Sequence, residues 1–414
     1  MTGKAWMGGG AAIVALAAAA AWFVHWEGGA YDARLAEAVA NPPEGITLVV
    51  EELGRTWRTR DYRVRATAGG DRSGLSALWT AHAEMGLGTV TTLHLDLSEG
   101  AGALIRDAGV EGFSDELLVK TSATGRLEPV VWRVDALSFR DTQTGLLCRT
   151  EPAEIRGGEK PGESWVTASL GGLVCTTPDG KTEVSSLKAL RTEVRAVEGR
   201  PFVDAAFEGG AFSADGLEGD GFRATFSSKR EASGERKDEK SSENAPALWE
   251  ERLELSVKRP RIEGESADEI GFTARLTGLT EKFIADVSEA SAQASTHPAA
   301  SWKLLGVWQQ AFTKGGVSLV LDDARYVRGG DAATLTGRLS YEEDETLPAP
   351  RFGLFELAIP QGIAAPESVA EPLSLGEVKL VDGVYRSRIE IDARGVFANG
   401  VLIESFGSFG LAVR

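Results

Sequence analysis

The sequence predicts a mainly β protein: extended, curved antiparallel sheets with an N-terminal transmembrane helix and one or two packing helices near residues 279–314. Apolar and polar residues alternate along many short runs, which is typical of strands with one buried face. Pairs such as Asp382-Gly383, which favour tight hairpin turns, separate the runs. A parallel α/β sheet is not expected, because strands and helices do not alternate regularly along the chain.

The N-terminal segment at residues 5–26 is long enough to span a membrane. As a helix it would measure about 33 Å, against a hydrocarbon core of about 30 Å. It begins at Ala5 after Lys4 and ends with Trp22, Phe23 and Trp26, and tryptophan is common at membrane boundaries. The cation that precedes it predicts a cytoplasmic N-terminus. We therefore expect a single-pass protein of a bacterial inner membrane, with its body in the periplasm.

A cleaved signal peptide is the alternative interpretation of this segment. Ala19 and Ala21 supply the small residues of a cleavage site, so cleavage near Ala21 would release a periplasmic protein. The apolar run continues past that point, which favours an uncleaved anchor. Both interpretations place the body on the same side of the membrane.

Composition divides the rest of the chain. Pro42-Pro43 stops the N-terminal helix, so residues 1–41 are expected to form the anchor and its helical continuation. Residues 44–226 and 248–414 are rich in alternating runs and are predicted to be the two halves of a β-rich body. Residues 227–247 carry charges of both signs and no aliphatic residue larger than alanine, which is typical of a solvated loop.

The predicted strands share one pattern, in which apolar side chains fall on one face and polar side chains on the other. It is seen at Leu93–Leu97, at Leu253–Val257 and at Tyr385–Ile391. Because successive side chains of a strand point to opposite faces, each run predicts a sheet with one dry and one wet face.

A helix is predicted at residues 298–314. Pro298 suits a first helical turn, and Gly315-Gly316 can end the helix. Its apolar stripe consists of Leu304, Leu305, Trp308 and Phe312. A second helix at Leu279–Ala294 could pack beside it. The pair is expected either to close an opening of the sheet or simply to pack against it.

Cys148 and Cys175 are the only cysteines, and each lies in a run that predicts a strand. An exported body would meet an oxidising compartment, so a disulfide between neighbouring strands is the expectation. Two buried free thiols are the alternative. A zinc or redox site is not predicted, since the chain has no C-x-x-C spacing.

Charge and composition exclude several classes of function. Asp and Glu number 61 against 44 Lys and Arg, for a net charge of -17, which argues against nucleic acid as a partner. Only four His are present, and the sequence has neither a complete phosphate-binding loop nor a zincin or nucleophile-elbow motif. No catalytic residue and no cofactor are predicted.

Clusters of acidic residues are the remaining candidates for a metal site or a catalytic site. Asp215, Glu218 and Asp220 lie among glycines and are a candidate calcium site, although solvated carboxylates are the simpler interpretation. A hydrolase that uses two carboxylates is the alternative function. Its candidates are Asp215, Asp220, Asp322, Asp323 and Glu342.

The order of these features resembles the YdgA-like family of bacterial envelope proteins. The residues that carry the resemblance are Tyr31 and Leu35 after the anchor, the strands Ile46–Glu52 and Thr56–Arg65, Gly171-Gly172-Leu173, Ser185-Ser186-Leu187, Gly278-Leu279, Leu304-Leu305 and Gly315–Leu319. The resemblance implies a membrane-tethered, β-rich periplasmic protein and names no site residues. A looser architectural likeness exists to AsmA-like envelope proteins, whose long sheets carry lipid in a groove.

Taken together, these features predict a non-enzymatic envelope protein. Its expected partners are the inner membrane, through the N-terminal helix, and either lipid or another envelope protein, through the β-rich body. A purely structural or assembly role and the carboxylate-dependent hydrolase are the alternatives.

Overall fold

The structure is a computed structural model that describes residues 35–36, 39–42, 46–56, 59–68, 75–85, 89–122, 128–141, 144–200, 203–231, 248–262, 264–296, 301–343, 350–364 and 366–405. The predicted anchor at residues 5–26 lies outside this part of the chain. Among the described residues, no helix combines the length and the apolar character needed to cross a membrane. Residues 35–36 and 39–40 are helical, before Asn41.

The prediction of a mainly antiparallel β protein is confirmed. The chain divides into two compact units: unit 1 comprises residues 1–198 and 208–215, and unit 2 comprises residues 199–207 and 216–414. The division therefore lies near residues 199–216 and not in the charged stretch at 227–247. The first residues of that stretch are not a loop either, since the strand that begins at Gly221 continues through Arg230.

Unit 1 consists mainly of successive antiparallel strands. They are β1 Ile46–Arg55, β2 Thr59–Ala68, β3 Leu75–Met85, β4 Thr89–Leu95, β5 Asp115–Thr121, β6 Val130–Val134, β7 Ser138–Arg140, β8 Leu147–Thr150, β9 Ala153–Lys160, β10 Glu163–Thr176 and β11 Glu183–Val197. After β12 Asp204–Gly209, which contributes to both units, β13 Phe212–Ala214 pairs with β11. A short helix, α1 Gly100–Asp107, follows β4.

The core of unit 1 is built from apolar side chains that face one another across the strands. One row, listed by register from β2 to β10, consists of Tyr62, Ala81, Leu93, Leu117, Trp132, Ile155 and Ala168. Leu93 and Leu117 in its centre are each only 2% exposed. Cross-strand neighbours on one face lie close enough to pack directly, so such a row forms a continuous apolar layer.

Unit 2 repeats this antiparallel design. They are β14 Leu217–Gly219, β15 Gly221–Arg230, β16 Leu248–Lys258, β17 Arg261–Ile262, β18 Glu265–Ser266, β19 Glu269–Thr280, β20 Ser318–Arg328, β21 Asp331–Glu342, β22 Arg351–Pro360, β23 Lys379–Val381, β24 Val384–Asp392, β25 Gly395–Ala398 and β26 Val401–Ser405. Its main sheet follows the order β15, β16, β19, β20, β21, β22, β24, β25 and β26.

The two predicted helices are confirmed as α2 Glu281–Thr296 and α3 Ser301–Thr313. Both pack on one end of the unit 2 sheet, where Leu279 and Val317 are buried together with Trp249 and Ala311. The aromatic rings of Phe283 and Trp308 join the helices, with their centroids 5.0 Å apart. A last helix, α4 Pro366–Leu375, precedes β23.

The predicted disulfide is also confirmed. Cys148 in β8 and Cys175 in β10 are directly opposed in an antiparallel pair, with their Cα atoms 4.0 Å apart, and they are bonded. Both side chains are buried. The bond ties β8, and through it β7, to the longer β10 strand.

Removing this bond is expected to destabilise unit 1. Closing a loop of this length stabilises a folded protein by about 3 kcal/mol, mainly by restricting the unfolded chain. Urea unfolding of the oxidised protein with and without reductant measures the difference. A Cys148→Ala, Cys175→Ala variant, whose stability should not respond to reductant, is the control. An unfolding free energy that is the same in oxidised and reduced protein would contradict the prediction.

Candidate functional site

The wet face of each sheet is covered by cross-strand ion pairs. In unit 1, Arg133 Nη1 lies 3.4 Å from Glu116 Oε2, and its Nε lies 3.1 Å from Glu154 Oε2. Arg156 also pairs with Glu154, at 2.6 Å. These side chains are largely exposed, so each pair contributes little to stability and keeps the face hydrated.

Unit 2 carries a more buried network on its wet face. Glu250, whose side chain is 7% exposed, lies 3.0 Å from Lys229 Nζ and 3.1 Å from Arg275 Nη1. Arg275 also binds Asp322 through two hydrogen bonds of 2.6 Å. The hydrogen bonds to Asp322 raise the pKa of Arg275, and in return they lower the pKa of the Asp322 carboxyl. The network ties four adjacent strands together.

The two predicted carboxylates Asp322 and Asp323 are neighbours in the sequence but bind different partners. The register of β20 shifts at this point against both of its neighbours, because β20 holds one extra residue there. Asp322 pairs with Arg275, whereas Asp323 Oδ2 accepts from Arg325 Nη1 at 3.0 Å. The bulge therefore places each carboxylate in a separate ion pair.

The other predicted acidic residues are placed as follows. Asp220 pairs with Arg259, Glu218 Oε2 lies 3.5 Å from Arg261, and Glu342 Oε2 lies 3.6 Å from Arg351. Asp215 has a φ of 50°, in the left-handed region that aspartate tolerates in tight turns. Across the described ranges, no three His, Cys, Asp or Glu side chains come together to hold a metal ion.

A buried carboxylate, Asp115, lies in the core of unit 1 and is 6% exposed. Its Oδ1 accepts from the Leu95 backbone N–H at 2.9 Å, and its Oδ2 accepts from Trp132 Nε1 at 2.9 Å. Burial raises the pKa of Asp115 above the 3.8 of a free side chain, and these two donors oppose the rise. Both oxygens are satisfied within a closed core, so Asp115 has a structural role.

The two histidines in the described ranges, His82 and His94, occupy ordinary strand positions. His82 Nδ1 lies 2.6 Å from Asp61 Oδ1 on the wet face, and this hydrogen bond raises the pKa of His82. His94 hydrogen-bonds through Nδ1 to the backbone carbonyl of Asp115. Neither has the neighbours of a catalytic triad in the part of the chain that the structure describes.

Unit 2 has an incompletely covered apolar face. Its central row consists of Phe226, Leu253, Ala274, Leu321, Gly337, Phe355, Ile389 and Ala398. The next row consists of Ala224, Leu255, Phe272, Ala324, Leu335 and Leu357. A third row consists of Leu276, Leu319, Leu339, Gly353 and Ile391. We call these three rows the apolar face of unit 2.

Burial separates this face from the matching layer of unit 1. Phe226 is 43% exposed, Leu255 40% and Leu319 37%. Every large side chain of the three rows is half-buried or exposed, whereas most of the corresponding row of unit 1 is buried. Helices α2 and α3 contact the end of the face at Leu276. The face is therefore an apolar surface that is covered at one end.

Two glycines, Gly337 and Gly353, leave the middle of this face without side chains of their own. A Cβ at Gly337 would lie 2.3 Å from Phe355 Cδ1, so the Phe355 ring lies directly against the Gly337 backbone. A Cβ at Gly353 would approach Leu339 and Ile391 to within about 3.3 Å. A ring laid across strand glycines restores the packing that they lack.

A polar cavity of about 280 Å³ lies on the opposite, wet face of β21 and β22. Arg338, Glu342, Arg351 and Glu356 line it, with Thr336 and Ser340. Arg338 donates to Ser318 Oγ at 2.9 Å. The cavity is lined by side chains of both charges, as is the rest of the wet face.

No match to this chain was found among protein-family models, curated proteins or solved structures. The likeness to YdgA-like and AsmA-like proteins therefore stays a prediction. The alternation in the sequence predicts an apolar face in both units. It does not predict which of the two faces stays open, because that depends on what packs against each sheet.

Substituting Asp115 tests its buried, structural role. The pKa of Asp115 is higher in the folded protein than in the unfolded chain. The contribution of Asp115 to the free energy of unfolding is therefore most favourable at low pH, and it is lost as the pH rises from 3.8 through the folded pKa. Asp115→Asn should flatten this pH dependence. Asp115→Ala should lower the free energy of unfolding by about 2–4 kcal/mol, because two buried donors lose their acceptor.

Chemical unfolding at a series of pH values measures both effects. Glu116→Gln is the matched control, since Glu116 is the next residue and lies on the wet face. A pH dependence that is the same in the wild type and in Asp115→Asn would contradict the assignment.

Proposed function

We propose that this protein is a membrane-tethered, periplasm-facing envelope protein that binds the acyl chains of lipids on the apolar face of unit 2 and catalyses no reaction. In this proposal residues 5–26 form the transmembrane anchor, and the sheet of unit 2 curves around its ligand. The likeness of the sequence to YdgA-like and AsmA-like envelope proteins agrees with this proposal.

The observation that carries the proposal is the exposure of Phe226, Leu255 and Leu319 within continuous apolar rows. Leaving apolar surface in water costs about 25 cal/mol per Å², so an extended exposed face is favoured only if something covers it. In unit 1 the matching row is buried from Tyr62 to Trp132, so a row of this kind can be covered within this design.

Lipid is the favoured occupant for two reasons. The predicted anchor holds the body next to a bilayer, where acyl chains are the most abundant apolar ligand. The face also has almost no hydrogen-bonding side chains in its central rows, and acyl chains require none. A surface that binds a protein partner usually has polar side chains around an apolar centre.

The hydrolase alternative has less support. Asp220, Asp322, Asp323 and Glu342 are each paired with an arginine. Glycoside hydrolysis with two carboxylates needs both to face one cleft, with one of them able to carry a proton. Arg275 favours the ionised form of Asp322 instead, since it lowers the pKa of that carboxyl.

Substituting Leu255 tests the proposal. Leu255→Asp places a carboxylate on the apolar face at an exposed position, where the folded protein tolerates it but a bound acyl chain does not. We expect the amount of lipid that co-purifies in mild detergent, quantified by mass spectrometry, to fall at least about tenfold. Ser256→Asp, at the adjacent position on the wet face, is the matched control and should leave the amount unchanged.

Thermal unfolding of both variants confirms that the comparison is made between folded proteins. Wild-type protein without bound lipid, or equal lipid in both variants, would contradict the proposal. A stoichiometric protein that co-purifies in place of lipid and is lost in Leu255→Asp would contradict it as well, and would assign the face to a protein partner.

A further inference from the structure

The apolar face of unit 2 ends in three polar side chains, Ser228, Trp249 and Glu251, which we call the polar corner. Ser228 and Glu251 are opposite one another in the β15–β16 pair. Glu251 is opposite Leu276 of β19, and Trp249 is opposite Leu279. The corner therefore continues the third apolar row directly.

A bulge in β19 keeps this corner on the apolar face. Between Leu276 and Leu279 the register shifts, because β19 holds one residue more than β16. Gly278 in the bulge has a φ of 76°, and a Cβ there would lie 2.5 Å from the Gly316 carbonyl oxygen. Leu276 and Leu279 thus both face the same side as Trp249 and Glu251.

The polar atoms of this corner are buried, and two of them have no hydrogen-bond partner among the described residues. Trp249 Nε1 and Glu251 Oε1 are in this state, and the Ser228 hydroxyl has only Glu251 as a neighbour that can accept from it. Ser228 and Trp249 as residues are 4% and 6% exposed. Buried polar atoms in proteins are nearly always hydrogen-bonded, so two such atoms on neighbouring side chains indicate a place that receives a polar group from outside the chain.

The charges around the corner indicate what that group is. Asp204 Oδ1 accepts from the Ser228 backbone N–H at 2.9 Å, and Arg200 is 3.2 Å from Asp204 Oδ2. Burial and the Asp204 charge both raise the pKa of Glu251, and Ser228 opposes the rise. Arg200 is thus held by Asp204, and within the described ranges no Lys or Arg forms an ion pair with Glu251. Arg230, opposite Trp249, is exposed.

We propose that the polar corner binds the head group of the lipid on the apolar face, and that this head group carries an ammonium or hydroxyl donor. The proposal rests on the proposed function. The donor binds to Glu251 and Ser228, while the acyl chain lies along the exposed part of the third row, from Leu319 onward. The carboxyl group of Glu251 disfavours a head group that is only anionic.

Three probes with the same acyl chain length test this inference on the purified full-length chain in mild detergent. They are oleylamine, 1-oleoylglycerol and oleate, and binding is measured by isothermal titration. We expect oleylamine and 1-oleoylglycerol to bind at least about tenfold more tightly than oleate. In Glu251→Gln, binding of oleylamine should weaken about tenfold, because a hydrogen bond to a charged partner is lost.

Glu254→Gln is the matched control, since Glu254 lies on the wet face of the same strand and pairs with Arg252. It should leave all three affinities unchanged. Ser228→Ala is a second variant, expected to weaken both the amine and the glyceride about fivefold. It keeps the inference testable if Glu251→Gln does not fold.

The outcomes separate this inference from the proposed function. Oleate that binds as tightly as oleylamine, or Glu251→Gln and Ser228→Ala variants that bind like the wild type, would overturn the polar corner as head-group site while leaving the apolar face in place. Failure of all three probes to bind would overturn both.

Discussion

The register of neighbouring strands is the constraint on which both units depend. Because side chains alternate between faces, a shift by one residue would exchange the apolar and charged faces of every strand beyond it. In unit 2 the chain departs from strict alternation at Gly278 and at Asp322, and at both points a bulge absorbs the extra residue. Leu276 and Leu279, and likewise Leu321 and Ala324, thereby stay on the apolar face.

Apolar and polar side chains alternate along the strands of both units, but the apolar rows are buried to different extents. In unit 1 the apolar row is buried, and it encloses even a carboxyl group, Asp115, whose two hydrogen bonds compensate for its loss of water. In unit 2 the helices α2 and α3 cover one end of the apolar face, and Phe226, Leu255 and Leu319 stay exposed. Unit 1 thus has the more deeply buried core, and unit 2 leaves part of its apolar surface exposed.

The wet faces have a complementary role. On unit 2, Lys229, Glu250, Arg275 and Asp322 join strands through ion pairs, so the sheet is held from its charged side. These ion pairs join the strands independently of what covers the apolar side. Both oxygens of Asp322 accept hydrogen bonds from Arg275 within this network.

Local patterns in the sequence predict the strands, the helix at α3 and the disulfide, since each depends on neighbouring residues or on the only two cysteines present. The separation of Asp322 from Asp323 was not predictable, because a bulge depends on the register of two other strands. The polar corner was missed for the same reason. Glu251 stands among charged residues in the sequence, and only the pairing with Leu276 places it at the apolar face. The anchor at residues 5–26 stays a prediction from hydropathy.

Site-specific photo-crosslinking in living cells tests the central claim most directly. A benzophenone amino acid at Phe226 would lie on the apolar face, and one at Ser227 would lie on the wet face of the same strand at a similarly exposed position. Lipid adducts at position 226 and none at position 227, detected by mass spectrometry of the purified protein, are the predicted result. Equal labelling at both positions, or only protein adducts at 226, would contradict the assignment of this face to lipid.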